Sequence, residues 1–324
     1  MNFIIPMEPV ASHEIKQGDG FIHEIKWDGI RGMTYVKDGS LRVFTKKGNE
    51  RTEFYPELKQ LETMIGKQDV VLDGEMVVLD GSGQPGFHNI LLRETVKNRK
   101  NLRHYLKNYP VRYVIFDILM LEDKVLTQKP LYERKEILER VIAPKLQGSS
   151  SFFVSQVFEN GVELYENMKL RNMEGVVSKS RSSLYLPGRK HNEWFKTKFT
   201  KKMLCIIGGI LWKEELPNSL VMGIRTEESS GLVYMGKASL GLKGADILLL
   251  KNYRGRLVQK ECPFTGDSIR NMDSRGCEPT WISPALTCWV GFLELSNDGH
   301  FRHPKILGFT NISPDKADGK VLTE

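Results

Sequence analysis

The sequence is poor in cysteine. Its four cysteines, Cys205, Cys262, Cys277 and Cys288, are too sparse for a disulfide framework. None has C-x-x-C spacing, which argues against a zinc knuckle, so reduced thiols are expected. Long apolar runs are also missing, and the N-terminus has no cationic segment leading into an apolar core. A cytoplasmic protein with no membrane association, acting as a monomer, is expected. No G-x-x-x-x-G-K-[ST] sequence occurs, which excludes a Walker phosphate loop. The seven histidines show no ligand spacing. The match Gly81-Ser82-Gly83-Gln84-Pro85-Gly86 to G-x-G-x-x-G contains a proline and opens no βαβ unit, so it reads as a connection.

Positive charge is present in excess. Lysine and arginine number 47 against 40 acids, a net +7, which favours a polyanionic partner. From Arg93 to Arg112 the bases Arg93, Lys97, Arg99, Lys100, Arg103, Lys107 and Arg112 meet one acid, Glu94. That stretch reads as a phosphate-backbone track or as a solvated helix face. Lys251, Arg254, Arg256 and Lys260 leave the same two readings.

A chain of 324 residues has room for two domains. Residues 21–26 and 32–36 read as strands, and Lys37-Asp38-Gly39-Ser40 as a hairpin turn into a third strand at 41–46. Helical spacing covers 54–65, then an apolar strand runs from Val70 to Leu79 across Asp73, Gly74 and Glu75. A basic helical segment at 87–107 precedes a buried strand, Val111 to Leu119. Helices are predicted at 131–142 and 161–173, the second capped by Asn160, and strands at 175–179 and 193–198. Beyond Lys202, strands at 203–212, 220–226, 231–235 and 289–295 and a helix at 244–258 fit a five-stranded nucleic-acid-binding barrel. The expected fold class is α+β, with one domain over 1–200 and a β-barrel domain over 201–324.

Lys26 opens the run Lys26-Trp27-Asp28-Gly29-Ile30-Arg31. An amine attacks phosphorus or carbonyl carbon once deprotonated, and a cation such as Arg31 close by favours that loss. A surface hairpin turning at Asp-Gly is the bland alternative, and K-x-D-G alone arises by chance in roughly one chain in fifteen of this length. Further charges interrupt apolar strands, where they are costly unless paired or coordinated: Asp73 and Glu75, Asp117, Glu174 and Lys179. Lys196 and Lys198 alternate in Trp194-Phe195-Lys196-Thr197-Lys198, so both share one strand face. Lysines that neutralise phosphate oxygens, converging with carboxylates that hold Mg²⁺, are what nucleotidyl transfer requires. Met33, Met64, Met76 and Met120 read as core filling, and Trp27 and Trp194 as packing neighbours.

These motifs, in this order, resemble the covalent nucleotidyltransferases, and among them the ATP-dependent DNA ligases of the small bacterial, viral and end-joining-repair type. The resemblance covers nearly the whole chain. It implies a nucleotidyltransferase (adenylation) domain followed by an OB-fold domain. Lys26 matches the family's nucleophile. Lys46, in Thr45-Lys46-Lys47-Gly48, stands where a ribose-contacting arginine is usual. Glu24 matches the reader of the adenine amino group, with Ile25 beside it in the nucleotide site, and Phe116 matches the adenine-stacking aromatic. Glu75 would meet the ribose or the metal water shell, Glu174 would hold Mg²⁺ (Mn²⁺ could replace it), and Lys196 and Lys198 would clamp the α-phosphate. Arg31 would meet the nucleotide or the 5′-phosphate of a nick. Met235-Gly236-Lys237 through Gly241 resembles a ligase barrel turn. The last motif departs from the family: Ser313 precedes Pro314-Asp315-Lys316 where arginine is usual, and Arg302 is the substitute at hand.

The resemblance implies sealing of nicked double-stranded DNA with ATP, through a lysyl-AMP and an adenylylated DNA end. A hinge over 199–203 and a Ku-like end binder or repair polymerase as partner belong to the same expectation. RNA ligases and RNA-capping guanylyltransferases share the lysine motif, and a nucleic-acid-binding module with a dead site is the alternative of another class.

Overall fold

The computed structural model describes residues 3–81, 83–96, 102–265, 269, 272, 278–296 and 298–323. The chain forms two compact units, Met1–Phe199 and Thr200–Glu324. Lys97, Arg99 and Lys100 of the first basic stretch, Ser82 and Cys277 lie outside the described residues.

The first unit holds two sheets. Its strands are β1 (Glu8–Ala11), β2 (Phe21–Lys26), β3 (Ile30–Lys37), β4 (Ser40–Thr45), β5 (Val70–Val78), β6 (Val111–Leu121), β7 (Lys124–Val125), β8 (Phe152–Val154), β9 (Gly175–Ser180) and β10 (Lys190–Lys198). One sheet runs β4-β3-β5-β6-β7, with β8 parallel to β6, and the other runs β1-β10-β9-β2. β3 turns into β4 through Asp38 (φ 50°) and Gly39 (φ 73°), the left-handed pair that suits a tight hairpin. β5 is apolar throughout except at Asp73, Gly74 and Glu75, because both its faces are covered. Met33, Tyr35, Val71 and Leu119 of the first sheet join Ile22 and Trp194 of the second in a shared core, which seats the sheets face to face. Met33 and Met76 are fully buried, as core filling requires.

Among the described residues, five α-helices complete the unit: α1 (Gln60–Ile65), α2 (Phe87–Glu94), α3 (Leu102–Asn108), α4 (Leu131–Ile137) and α5 (Gly161–Leu170). The Asn160 side chain caps α5 by accepting from the Glu163 N–H at 3.0 Å. The helix predicted over 54–65 is shorter. Pro56 cannot donate and disfavours helix at Tyr55, so two 3₁₀ turns precede α1. β1 carries Pro9 on a sheet edge, where its missing N–H costs no ladder bond.

The second unit contains β11 (Lys201–Lys213), β12 (Leu216–Ile224), β13 (Val233–Ala238), α6 (Gly244–Leu257), β14 (Thr280–Phe292), β15 (Lys305–Thr310) and β16 (Val321–Thr323). The strand path is β13-β12-β11-β14-β15. A parallel bridge from Leu240 to Lys305 links its two ends, giving the OB-like barrel, with β16 added on β11 as a sixth strand. β14 starts at Thr280, well before the predicted 289. Of the residues expected to form a hinge over 199–203, Lys201, Lys202 and Met203 lie in β11 and pair with both β14 and β16. Among the described residues no helix is long and apolar enough to cross a membrane.

Candidate active site

β9 lies between β2 and β10, and its first residue decides where the charges meet. Gly175 pairs in register with Lys26 on one side and Lys198 on the other. Its φ of 153° suits glycine, and a Cβ there would come within 2.1 Å of the Thr197 carbonyl oxygen. Glu174, just before it, therefore reaches both lysines. Lys26 Nζ donates to Glu174 Oε2, and Lys198 Nζ lies 2.5 Å from Oε1. Lys196, two residues back on the same strand face, is pulled below the usual lysine value by burial and by Lys26 and Lys198.

Trp27-Asp28-Gly29 is not a hairpin turn. β2 pairs with β9 whereas β3 pairs with β4 and β5, so the segment crosses from one sheet to the other. Gly29 packs onto β5, where a Cβ would meet the Met76 carbonyl oxygen at 2.3 Å. The crossing carries Arg31 to Asp73. Arg31 Nε and Nη2 donate to the two Asp73 oxygens at 2.5 and 2.6 Å, and Tyr185 Oη donates to Oδ2 at 2.6 Å. The Arg31 charge is thus paired with the Asp73 carboxylate. Its guanidinium lies 4.5 Å from the Phe116 ring centre, as does Lys179 Nζ.

One cleft of about 220 Å³ collects Glu24, Ile25, Lys26, Arg31, Lys46, Glu75, Phe116 and Lys196 among its walls. Neither Glu174 nor Lys198 is among the lining residues; Glu174 meets the cleft through its pair with Lys26, and Lys198 through Glu174. Lys46 pairs with Glu8 at 2.6 Å, and this partner holds the Glu8 carboxyl below its usual value. Glu75 is pushed up to about 7, first by burial, with Lys26 and Arg31 opposing and Glu174 adding to the rise. Trp194 is buried and donates Nε1–H to Ser183 Oγ at 3.0 Å, a packing and anchoring role.

Several charges belong to the frame instead. Asp117 accepts from Nε and Nη2 of Arg134, at 2.8 and 2.9 Å, with both side chains fully buried. Phe116 faces the cleft, and its strand neighbour Asp117 faces away, as strand alternation demands. Arg93 is fully buried against Glu57 and the Phe54 carbonyl, so it leaves the proposed surface track, while Arg103 and Lys107 remain exposed. In the second unit, Arg254 pairs with Glu215 and covers Trp212, whereas Lys251, Arg256 and Lys260 are exposed. Arg302 is paired with Glu294, and Ser313 Oγ donates to Asp315 Oδ2 at 3.3 Å.

Three side chains at the site have no place in the motif reading: Lys135, Tyr185 and Glu8. Lys135 and Arg134 had a signal. Leu131, Arg134, Lys135 and Leu138 fall at i, i+3, i+4 and i+7, the positions of a buried face, and all four are buried.

Among the described residues no three His, Cys, Asp or Glu side chains cluster as a closed metal cage. Mg²⁺ does not need one, since it takes one or two carboxylates and completes its shell with substrate phosphates and water. Glu75 and Glu174, close enough for the charge of one to raise the other, fit that demand.

The sequence matches the ATP dependent DNA ligase domain over residues 7–198 and the ATP dependent DNA ligase C terminal region over 213–315. The chain belongs to the ATP-dependent DNA ligase family. The multifunctional non-homologous end joining protein LigD of Mycolicibacterium smegmatis is 31% identical over 321 residues, 97% of this chain and 38% of that protein. LigD of Mycobacterium tuberculosis H37Rv is 30% identical over 308 residues, 93% of this chain and 37% of that protein. The chain therefore spans less than two fifths of these relatives' length. Among solved structures, the ligase domain of M. tuberculosis LigD aligns with a TM-score of 0.53 at 29% identity, over 99% of this chain and 98% of that one. A mycobacterial DNA ligase D complexed with ATP and MES aligns with a TM-score of 0.54 at 28% identity, again over 99% and 98%.

Proposed function

We propose that the protein seals 5′-phosphate/3′-hydroxyl nicks in double-stranded DNA with ATP, and that Lys26 carries the AMP. The observation that carries this reading is the Lys26–Glu174–Lys198 cluster at a cleft that also holds Glu24, Phe116 and Lys196. Lys26 Nζ attacks the α-phosphorus, an N–P bond forms and the bond to pyrophosphate breaks. The AMP then passes to the nick 5′-phosphate, and the 3′-hydroxyl displaces it. Negative charge sits on non-bridging oxygens throughout, so cations and positioning supply most of the catalysis.

In this reading Lys196 and Lys198 hold the α-phosphate, and Glu174 orients the Lys26 amine. Phe116 stacks the base, Glu24 accepts its amino hydrogen, and Lys46 lies at the ribose side. Arg31 is fixed by Asp73 at the cleft wall, ready for nucleotide or nick phosphate. Glu75 and Glu174 would hold Mg²⁺ (or Mn²⁺), which neutralises phosphate oxygens when bound. Arg103, Lys107, Lys251, Arg256 and Lys260 are the exposed bases offered to the DNA backbone. Likeness to LigD supports a place in end-joining repair beside a Ku-like end binder or a repair polymerase.

Incubation of the protein with ATP, Mg²⁺ and either a nicked DNA duplex or a nicked RNA duplex tests the reading. Sealed DNA product is expected, and sealing confined to RNA would overturn it.

A further inference from the structure

Glu24 lies within β2, is 2% exposed and lines the cleft. Burial by itself favours the protonated form of such a carboxyl. Two lysines oppose that. Lys135 Nζ, from α4, lies 2.5 Å from Glu24 Oε1, and Lys179 Nζ, from β9, donates to Oε2 at 3.0 Å. Burial pushes the Glu24 carboxyl up, but the two lysines outweigh it and leave it below the usual value. The other charges nearby are committed elsewhere. Asp117 on β6 acts on Lys179 but is locked to Arg134, and Lys26 on β2 is tied to Glu174. Lys179 is itself pushed down to about 8, first by burial, with Glu24 opposing and Lys135 adding to the fall. Lys135 Nζ and Glu24 Oε1 are both buried, and neither has a hydrogen-bond partner beyond this close contact.

The ionisation state of Glu24 has a chemical consequence. An ionised carboxylate only accepts hydrogen bonds, whereas a protonated one also donates. The 6-position of adenine is a donor and that of guanine an acceptor. An acceptor-only Glu24 therefore satisfies adenine and repels guanine, while a protonated Glu24 serves either.

We infer that Lys135, assisted by Lys179, sets the base choice of the cleft by holding Glu24 as an acceptor-only carboxylate, so that adenine nucleotides enter and guanine nucleotides do not. Lys135 is not among the residues lining the cleft and acts through Glu24, which makes it a positioning residue. The inference rests on the ATP reading given above.

The test compares Lys26 labelling by ATP and by GTP for the parent, Lys135→Met and Lys135→Arg, each from pH 6 to 8.5, with thermal melting alongside. The parent should take ATP over GTP across the range. Lys135→Met should lose about tenfold or more of that preference, most at low pH where Glu24 gains its proton. Lys135→Arg should restore it. A Lys135→Met protein that melts as a folded chain and keeps the parental preference at every pH overturns the inference. If it does not fold, Lys135→Arg decides: a preference that shifts with pH while the parent's does not would also overturn the inference. A parent that labels with neither nucleotide sinks the ATP reading itself, a separate outcome seen before any variant is compared.

Discussion

Glu75 has the clearest residue-level cost in the molecule. Its carboxyl is pushed up to about 7, while the unfolded chain titrates it near 4.5. Between those values the folded state binds more protons than the unfolded state, so stability falls as pH rises through that window. Glu75→Gln removes the effect. It should stabilise the nucleotide-free protein at pH 8 by on the order of 2 kcal/mol, read as a higher melting temperature, and leave stability almost unchanged below pH 4.5. A variant that melts below the parent at pH 8 would contradict the assignment. Arg31 makes the opposite case. Asp73 is fully buried and both its oxygens depend on Arg31, so Arg31→Ala leaves a buried charge short of its cation. Denaturant titration should show a loss of about 3–5 kcal/mol. Arg31→Lys should lose much of this too, because a single ammonium cannot make the paired contact. At this scale the sequence was legible where a motif names charges that the structure brings together, as at Lys26, Glu174 and Lys198. It misled where burial reassigns a charge. Asp117 and Arg93 look like site or surface residues in one dimension, yet each is fully buried and paired with an opposite charge.

Among the elements, β9 matters most, because it aligns the lysines of β2 and β10 around one carboxylate. Gly175 is its weak point. Gly175→Ala places a Cβ 2.1 Å from the Thr197 oxygen in a backbone conformation that L side chains rarely adopt. The strands must part, at a cost of about 1–3 kcal/mol for the backbone strain alone. Lys26 labelling should fall together with the melting temperature; labelling at the parental rate would show that the strand register does not set the site. Most strands of the first unit were legible, since alternation and the Asp38-Gly39 turn mark β2 to β4 directly. β14 was not. Ser283 and Pro284 interrupt its pattern, and the apolar run is recognisable only from Trp289 onward. The crossing at Trp27-Asp28-Gly29 was equally hidden, since a turn dipeptide does not say whether the strands it joins pair with each other.

On the scale of the whole molecule, a net charge of +7 with exposed Arg103, Lys107, Lys251, Arg256 and Lys260 predicts binding to DNA that weakens steeply with salt. The logarithm of the affinity for a nicked duplex should fall linearly with the logarithm of salt concentration. Replacing Lys251 and Arg256 by Ala should flatten the slope if those residues touch phosphate, and an unchanged slope would remove them from the DNA contact. Both units match ligase regions, but the described groups of the nucleotide cleft all come from the first. In the proposed reaction the chemistry at the cleft turns on one atom, Lys26 Nζ. Intact mass measurement after incubation with ATP and Mg²⁺ reports on it directly. A gain of one AMP on the parent is expected, mapped to Lys26 and absent from Lys26→Ala. A parent that stays unmodified, or an adduct that persists in Lys26→Ala, would contradict it.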